Sequence, residues 1–438
     1  MNTESKDVTS STLESHALCP KCNGLIKTTT ESCFHCNAWL GANSNDKPIP
    51  IDEAKAAEVA EEIEKNAALL AMKTNSLNDV AKNASDLAGK AYSKAKGIVD
   101  EEEKVQAGLN LITSKLGLEN IAQFSLKQFF SEVFEKHKPD EVENLFVVGS
   151  TLTTPPLDAS MAILPSPWLF FRVLLGSVIV YLIFLFGWNA FENRNLIPGL
   201  IMVGSFAVPI SVVILFFELN TPRNISIIRI VQLFFLSGAL SLFVSLILFD
   251  LTQVLGALGD SSAALIEEPA KLAVVIFAMR VIGMDRYKYR LNALLFGAAV
   301  GAGFAAFESA GYAFNHLLRS GIDASTSVIF IRGVLAPFGH IVWTAIATSA
   351  YWIARKDHPN IETTIRSNKF LILFAAPVAL HFIWNLPFTG PYMAKYWVLG
   401  VIAWVIIFSL IQSGLKEIFD LNAMKTADLN PLNSENKV

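Results

Sequence analysis

Two adjacent glutamates lie inside an apolar stretch of the sequence, and a lysine follows them one helical turn later. The segment reads Glu267-Glu268-Pro-Ala-Lys271. Residues three and four apart are neighbours on a helix, so the Lys271 ammonium is expected to neutralise one of the two carboxylates. The other carboxylate is then available as a general base that activates water. An unpaired ionisable side chain at membrane depth costs several kcal/mol, so the pattern indicates a functional site.

Three further apolar stretches contain polar side chains of types that take part in hydrolysis. They contribute Glu308 with Tyr312 one turn later, the isolated His340, and His381 with Asn385 four residues later. The two histidines are able to position a water or bind a metal, and the Asn385 amide is able to donate to an oxyanion. Metal ligands are expected among His340, His381 and Glu308. A mechanism in which a glutamate alone activates water is an equal alternative.

The elements that must position these residues are apolar stretches of about 20 residues, the length of a helix that crosses about 30 Å of hydrocarbon. They begin after Pro165. The sequence therefore predicts an all-α integral membrane protein. Its transmembrane helices number about eight and are predicted at about 169–191, 196–218, 225–249, 261–283, 291–317, 326–354, 369–388 and 393–414.

The predicted depths of the polar residues in the membrane test whether they can meet. Consecutive spans alternate in direction, and each helical residue adds 1.5 Å of rise. On this count Glu267, Glu308, His340 and His381 lie about 9, 14, 21 and 11 Å from the outer ends of their spans. The four groups fall in one layer. Glycines beside them are expected to let the helices pack closely, namely Gly297, Gly301, Gly303, Gly311 and Gly339.

Composition and charge support the membrane class and give an orientation. The chain is 52% hydrophobic and only 17% charged, which is too apolar for an ordinary soluble protein. A net charge of −4 gives no basic field for nucleic acid, so no nucleic-acid partner is expected. Lysine and arginine concentrate in the loops that face inward if the N-terminus is inside, and no signal segment precedes the soluble part. We therefore predict a multi-pass protein of the cytoplasmic membrane with both termini in the cytosol.

All four cysteines lie near the N-terminus, in Cys19-Pro-Lys-Cys22 and Cys33-Phe-His-Cys36. Four thiolates at this spacing suit tetrahedral Zn²⁺, which a short segment with few apolar residues needs in order to fold. The pattern resembles a zinc ribbon. The alternatives are a pair of disulfides, which a cytosolic location disfavours, and a redox Cys-x-x-Cys, which would not need to be duplicated.

The remaining boundaries follow from shifts in composition. We predict a zinc ribbon over 1–45, a cytosolic helical region and linker over 46–160, an eight-helix domain over 161–418 and a cytosolic tail over 419–438. The helical region is predicted as a hairpin or loose coiled coil over 52–115, followed by an aromatic amphipathic helix within 123–148 and a proline-rich linker over 154–167. His137 is predicted to be a solvated side chain.

The ordered motifs resemble those of a known family. Glu267-Glu268-x-x-Lys271, Phe307-Glu308-x-x-x-Tyr312, Gly339-His340 and His381 are similar to the motif series of the PrsW family of intramembrane proteases, over about 220–390. That family is distantly similar to the CAAX-processing and bacteriocin-processing membrane proteases. Lys271 stands where the wider group has arginine, and Glu308 stands in the region of its histidine. The resemblance implies an intramembrane peptidase whose substrate is a membrane-anchored protein, and it does not extend to the zinc ribbon.

Two other classes of function are compatible with buried charges. A transporter uses intramembrane carboxylates to relay protons, although no inverted repeat relates the first four predicted spans to the last four. A catalytically inactive relative would act as a membrane scaffold or sensor through its cytosolic part. In either case the zinc ribbon is a candidate site for a cytosolic protein partner.

Overall fold

The structure is a computed structural model, and the chain divides into two compact units over residues 1–95 and 96–438. The residues that it describes are 16–18, 25–27, 49–50, 126–283, 287–358 and 360–429.

The first unit contains three short strands, β1 (His16–Leu18), β2 (Leu25–Lys27) and β3 (Ile49–Pro50). They form an antiparallel sheet in the order β2-β1-β3, with Leu18 opposite Leu25 and Ala17 opposite Pro50. In the sequence, β1 and β2 flank the first Cys-x-x-Cys motif. The cysteines and the predicted helical region over 52–115 lie outside the described residues, so the zinc ribbon and the helical hairpin stay predictions.

The second unit is helical throughout its described residues apart from turns and loops. In chain order its α-helices are α1 (Leu126–Phe129), α2 (Pro139–Val147), α3 (Leu169–Phe191), α4 (Ile197–Leu219), α5 (Ile227–Leu251, with a π-helical turn over Leu233–Ser237), α6 (Ser262–Ile282), α7 (Arg290–Ser320), α8 (Ile322–Leu335), α9 (His340–Arg355), α10 (Ile361–Ile365), α11 (Asn368–Trp384) and α12 (Ala394–Leu429).

The chain is an integral membrane protein with helical spans. Six segments of the described chain are long and apolar enough to cross a membrane: Leu169–Phe191, Arg194–Leu219, Ile227–Leu251, Arg290–Ser320, Ile322–Arg355 and Pro391–Lys425. The other two predicted spans coincide with α6, whose apolar run is interrupted by charged residues, and with α11, which has 17 residues. The count of eight stays a prediction. The last helix continues to Leu429, past the predicted start of the cytosolic tail.

The predicted span over 326–354 is two helices rather than one. A 3₁₀ turn over Ala336–Phe338 ends α8, and Gly339 adopts a non-helical backbone with φ −108° and ψ −132°. Pro337 lies within this turn and has no N–H to donate to an α-helical ladder. The break makes His340 the first residue of α9, directly after the non-helical Gly339.

The segment of the second unit that precedes the first span differs from its prediction in two places. The aromatic segment is a short helix, α1, followed by turns, and it buries Phe129 and Val133 while Phe134 stays 75% exposed. The prediction that His137 is solvated is wrong. Its ring stacks on Trp168 with a centroid separation of 3.7 Å, because α3 begins directly beneath it, and its Nδ1 lies 2.9 Å from Glu141 Oε2.

The proline-rich stretch packs against the last helix. It contains a 3₁₀ turn over Ala159–Ala162, whose N-cap Asp158 accepts a hydrogen bond from Ser160 N at 3.1 Å. The Asn422 side chain of α12 donates to the Asp158 carbonyl at 2.7 Å. This predicted linker is therefore anchored to the membrane domain.

Glycines on α7 set its distance from neighbouring helices, as predicted. A Cβ at Gly301 would lie 2.4 Å from the His340 carbonyl oxygen, and one at Gly303 would lie 1.9 Å from the Phe234 carbonyl oxygen. Gly297 makes a similarly close approach to Thr344. The prediction is wrong for Gly311, which has open space beside it, and for Gly339, whose Cβ would make only an ordinary contact with Trp343 at 3.9 Å. A side chain at Gly301 would displace α9, so this glycine places His340 against α7.

Candidate active site

Helices α6, α7, α9 and α11 bring all eight predicted site residues to one place. A polar cavity of about 380 Å³ lies between them. Six of the predicted residues line it and two, Glu268 and Lys271, lie fully buried directly behind it. The six lining residues are Glu267, Glu308, Tyr312, His340, His381 and Asn385.

The Lys271 ammonium is the centre of the site. Its Nζ donates to Glu268 Oε1 at 2.7 Å and to His340 Nδ1 at 2.8 Å, and it lies 3.3 Å from Glu267 Oε2. It also lies 4.2 Å from the centroid of the Phe304 ring, which adds a cation–π contact. Lys271 thus contacts both glutamates of α6 and the histidine of α9. The spacing predicted only that it would pair with one of the glutamates.

Glu268 is fully buried and holds His381 in a fixed orientation. Its Oε1 accepts from Lys271 and lies 2.9 Å from His381 Nδ1. The His381 ring also stacks on Trp343 at a centroid separation of 4.5 Å. A carboxylate that binds Nδ1–H fixes the tautomer and leaves the lone pair on Nε2. Glu268 is therefore a positioning residue, and His381 presents Nε2 as an acceptor or ligand.

His340 links the Lys271 cluster to a second ion pair. Because Lys271 donates to Nδ1, the ring carries its proton on Nε2, which lies 3.1 Å from Glu308 Oε2. The Arg332 guanidinium binds the same Glu308 oxygen. The result is a continuous chain of hydrogen bonds from Arg332 through Glu308, His340 and Lys271 to Glu268 and His381.

Arg332 is a site residue that the motif analysis missed. Besides Glu308, it donates from Nε to Ser309 Oγ at 2.8 Å, and its guanidinium lies 4.5 Å from the centroid of the Tyr312 ring. It lines the polar cavity from α8. The sequence held a usable signal, since an arginine inside an apolar span needs a carboxylate partner. In the sequence it stood out only as a basic residue within the sixth predicted span.

Glu267 differs from the other two carboxylates of the site. Its side chain is 9% exposed and lines the cavity, whereas Glu268 is sealed off. Glu267 Oε2 lies near Lys271 but makes no hydrogen bond within the described part of the chain. It is thus the carboxylate that borders the cavity and is placed to meet a water or a metal, while its buried Oε2 lies 3.3 Å from Lys271 Nζ.

A set of possible metal ligands is formed by Glu267, His340 and His381. One donor atom from each lies within 4.8 Å of the other two. A Glu-His-His set with an open side toward a polar cavity is of the type that binds catalytic Zn²⁺. The group contains Glu267 where the sequence suggested Glu308, and Glu308 instead pairs with Arg332. Lys271 contacts His340 Nδ1 and Glu308 contacts its Nε2, so a metal bound to His340 would have to replace one of these two partners.

Residues 227–411 match the family model of the PrsW family intramembrane metalloprotease. The match runs from α5 into α12 and contains all eight predicted residues and Arg332. No curated protein and no solved structure matches the chain. The PrsW match supports a membrane protease, and it leaves residues 1–226 outside the region of similarity.

The charges of the PrsW-matching site do not balance. Three carboxylates of the site, those of Glu267, Glu268 and Glu308, contact two cations, Lys271 and Arg332, and the exposed Asp260 also lines the cavity. With both histidines neutral, the three carboxylates and two cations leave a net charge of −1. An uncompensated charge is costly in the low dielectric of a membrane protein. The site therefore favours further positive charge, supplied by protons or by one divalent cation.

Tyr312 and Asn385 lie at the rim of the cavity. Tyr312 is 47% exposed beneath the Arg332 guanidinium. Asn385 caps the C-terminus of α11 and donates from Nδ2 to the Asp260 carbonyl at 3.1 Å. That bond ties α11 to the loop before α6, and the second amide proton of Asn385 is available to a bound molecule.

Proposed function

We propose that the chain is a PrsW-type intramembrane peptidase that hydrolyses a peptide bond in a membrane-anchored protein. The observation that supports this most is Glu267, a carboxylate that lines the polar cavity beside two histidines within the spans and whose buried Oε2 makes no hydrogen bond with the described residues. The family match over the same residues supports a protease rather than a transporter.

In this mechanism Glu267 takes a proton from the attacking water as general base and gives it to the leaving amine as the C–N bond breaks. Lys271 lies 3.3 Å from Glu267 Oε2 and keeps that carboxylate oriented, while Glu268 and Trp343 fix the His381 ring. His381 Nε2 and His340 orient the water. The oxyanion forms near the cavity rim, where Arg332, Tyr312 and the second Asn385 amide proton are the donors.

Glu267, His340 and His381 would hold a catalytic metal if one is used. A Zn²⁺ bound there would supply a Lewis acid and would itself activate a water, with Glu267 acting as a ligand instead of as the base. The same residues also permit a reaction in which Glu267 alone activates the water. The two forms of the mechanism differ in metal content, which is measurable without a substrate.

The function is tested in cells that express either the wild-type chain or Glu267→Gln at equal levels. Comparison of membrane proteins and of their new N-termini by mass spectrometry should reveal fragments, cut within or beside a membrane segment, that only the wild-type cells contain. Identical fragment sets in both cells, with the chain correctly inserted, would contradict the peptidase and favour a transporter or scaffold.

We also propose that Cys19, Cys22, Cys33 and Cys36 bind one structural Zn²⁺ in a ribbon over 1–45, on the cytosolic side. The helical region over 46–160 would then join it to the membrane domain over 161–418, and the tail over 419–438 would return to the cytosol of a cell with a cytoplasmic membrane. A cytosolic protein is the expected partner of the ribbon. The four thiolates at this spacing and the strands on either side of the first pair support the zinc site.

The number of Zn²⁺ ions bound per molecule, measured in variants that lack one site or the other, distinguishes the two proposed zinc sites. The purified full-length chain should contain two Zn²⁺ per molecule if the peptidase uses a metal, and the variant with all four cysteines changed to serine should contain one. Adding His381→Ala to that variant should remove the second ion, whereas adding His316→Ala, a matched control outside the ligand set, should not. One Zn²⁺ in the wild type and none in the cysteine variant would instead support the metal-independent mechanism.

A further inference from the structure

A second cavity, of about 440 Å³, lies between α6, α10 and α11 on the side of α6 away from the polar site. Its walls are apolar and include Leu272, Ile276 and Phe277 of α6, with the stacked Phe370 and Phe374 rings of α11 opposite. Phe277 is 59% exposed, so the cavity opens to the surroundings of the spans. We call it the α6–α11 groove.

Arg280 is the charged residue in the lining of this groove. It lies at the end of the groove next to the C-terminus of α6, is exposed, and forms no ion pair with any residue in the described ranges. A guanidinium binds phosphate oxygens in a bidentate manner. The groove therefore has an apolar body and a positively charged end, the complement of an amphiphile with an anionic head.

The dimensions of the groove fit one acyl chain. It extends along α6 from Pro269 to Arg280, eleven residues, or about 16 Å at 1.5 Å per residue. That is about half of the 30 Å hydrocarbon thickness, which is the depth of one leaflet.

The short helix α10 marks the water-facing end of the groove. Ile361 and Ile365 line the groove, while Glu362 and Arg366 of the same helix form an ion pair at 3.1 Å with side chains that are 71% and 77% exposed. An amphipathic helix of this kind lies at the boundary between headgroups and hydrocarbon. Arg280, which shares the lining with α10, is therefore at headgroup level.

We propose that the α6–α11 groove binds one anionic phospholipid, with an acyl chain along α6 and the phosphate on Arg280. Basic pockets between helices at the edge of a membrane bind such headgroups. The groove begins at Pro269, the residue after Glu268, so the bound lipid supports the helix that holds three of the charged site residues. The inference does not depend on the peptidase, because its test measures lipid retention alone.

The test uses the purified full chain in nanodiscs of phosphatidylcholine with phosphatidylglycerol, and counts lipids that stay bound in native mass spectrometry. The wild type should retain one phosphatidylglycerol. Arg280→Gln should lower that occupancy roughly fivefold, since one basic residue contributes about this factor at an anionic surface. Ala273→Trp, which fills the groove from an exposed position, should abolish it. Arg229→Gln, the matched control near another span end, should behave as the wild type.

Two outcomes would overturn the proposal. One is equal retention of phosphatidylglycerol by the wild type and Arg280→Gln. The other is retention of phosphatidylcholine as strong as that of phosphatidylglycerol, because the charge argument requires an anionic head. Arg280 is exposed, so Arg280→Gln decides the matter even if the bulky Ala273→Trp fails to fold, and Arg280→Lys should restore most of the binding.

Discussion

Replacing Glu267 by Gln should lower the cleavage rate by about 10²-fold or more, since the variant keeps the shape of the side chain and loses the base. Its stability should change little, because Glu267 Oε2 makes no hydrogen bond that the amide would break and Lys271 keeps its shorter ion pair with Glu268. The rate is measured on a substrate identified in cells, with purified variants in detergent or nanodiscs, and the unfolding temperature is measured on the same samples.

Glu192→Gln is the matched control for this variant, because Glu192 is an exposed glutamate at the end of α3, outside the site. It should cleave as the wild type does. Glu268→Gln provides the contrast, since it removes the buried negative charge that both Lys271 and His381 contact and should lower stability as well as rate. Full activity of Glu267→Gln would show that another group activates the water.

Replacing Lys271 by Met should destabilise the protein strongly. Lys271 is fully buried and pairs with Glu268, which is also fully buried, and removing one partner leaves the other charge uncompensated. Breaking such a pair typically costs about 3–5 kcal/mol of the free energy of unfolding. The variant should therefore unfold at a much lower temperature in detergent and accumulate poorly in membranes.

Lys369→Met is the matched control for Lys271→Met. Lys369 lies 3.0 Å from Asp357 in an ion pair whose side chains are 54% and 58% exposed, and its hydrogen bond holds the pKa of Asp357 below its usual range. Because water solvates both groups, loss of this pair should leave the unfolding temperature nearly unchanged. Equal unfolding temperatures for Lys271→Met and the wild type would mean that Glu268 is neutral in the folded protein.

Sequence analysis was more successful in predicting which residues lie together in the site than in predicting where each helix begins and ends. Glu267, Glu308, His340 and His381 were recognisable because polar groups are rare in apolar spans, and residue counts placed them at one depth. The break before His340 was missed, because averaging hydropathy over a span hides the local effect of Pro337 and Gly339. These two residues give a turn signal that a shorter window would detect.

The division of roles within the site was beyond sequence analysis. The spacing of the two glutamates allows either to pair with Lys271. Their roles differ because His381 of α11 contacts Glu268 and not Glu267. Similarly, Arg332 of α8 forms an ion pair with Glu308, and Glu267 is the carboxylate in the set of possible metal ligands. These contacts depend on how helices pack, which the order of motifs along the chain does not specify.

The buried charges of α6 also affect how the protein is made. Each charged residue at the centre of a helix adds about 2.5–3.5 kcal/mol to the cost of insertion by the translocon, and α6 contains Glu267, Glu268 and Lys271. Their partner His381 follows Glu268 by 113 residues, which a ribosome adds in about 6–23 s. During that interval α6 depends on water, the insertion machinery or a chaperone to shelter its charges. We therefore expect α6 to settle in the bilayer only when α9 and α11 have been synthesised, so that completing the site is a late step of biogenesis.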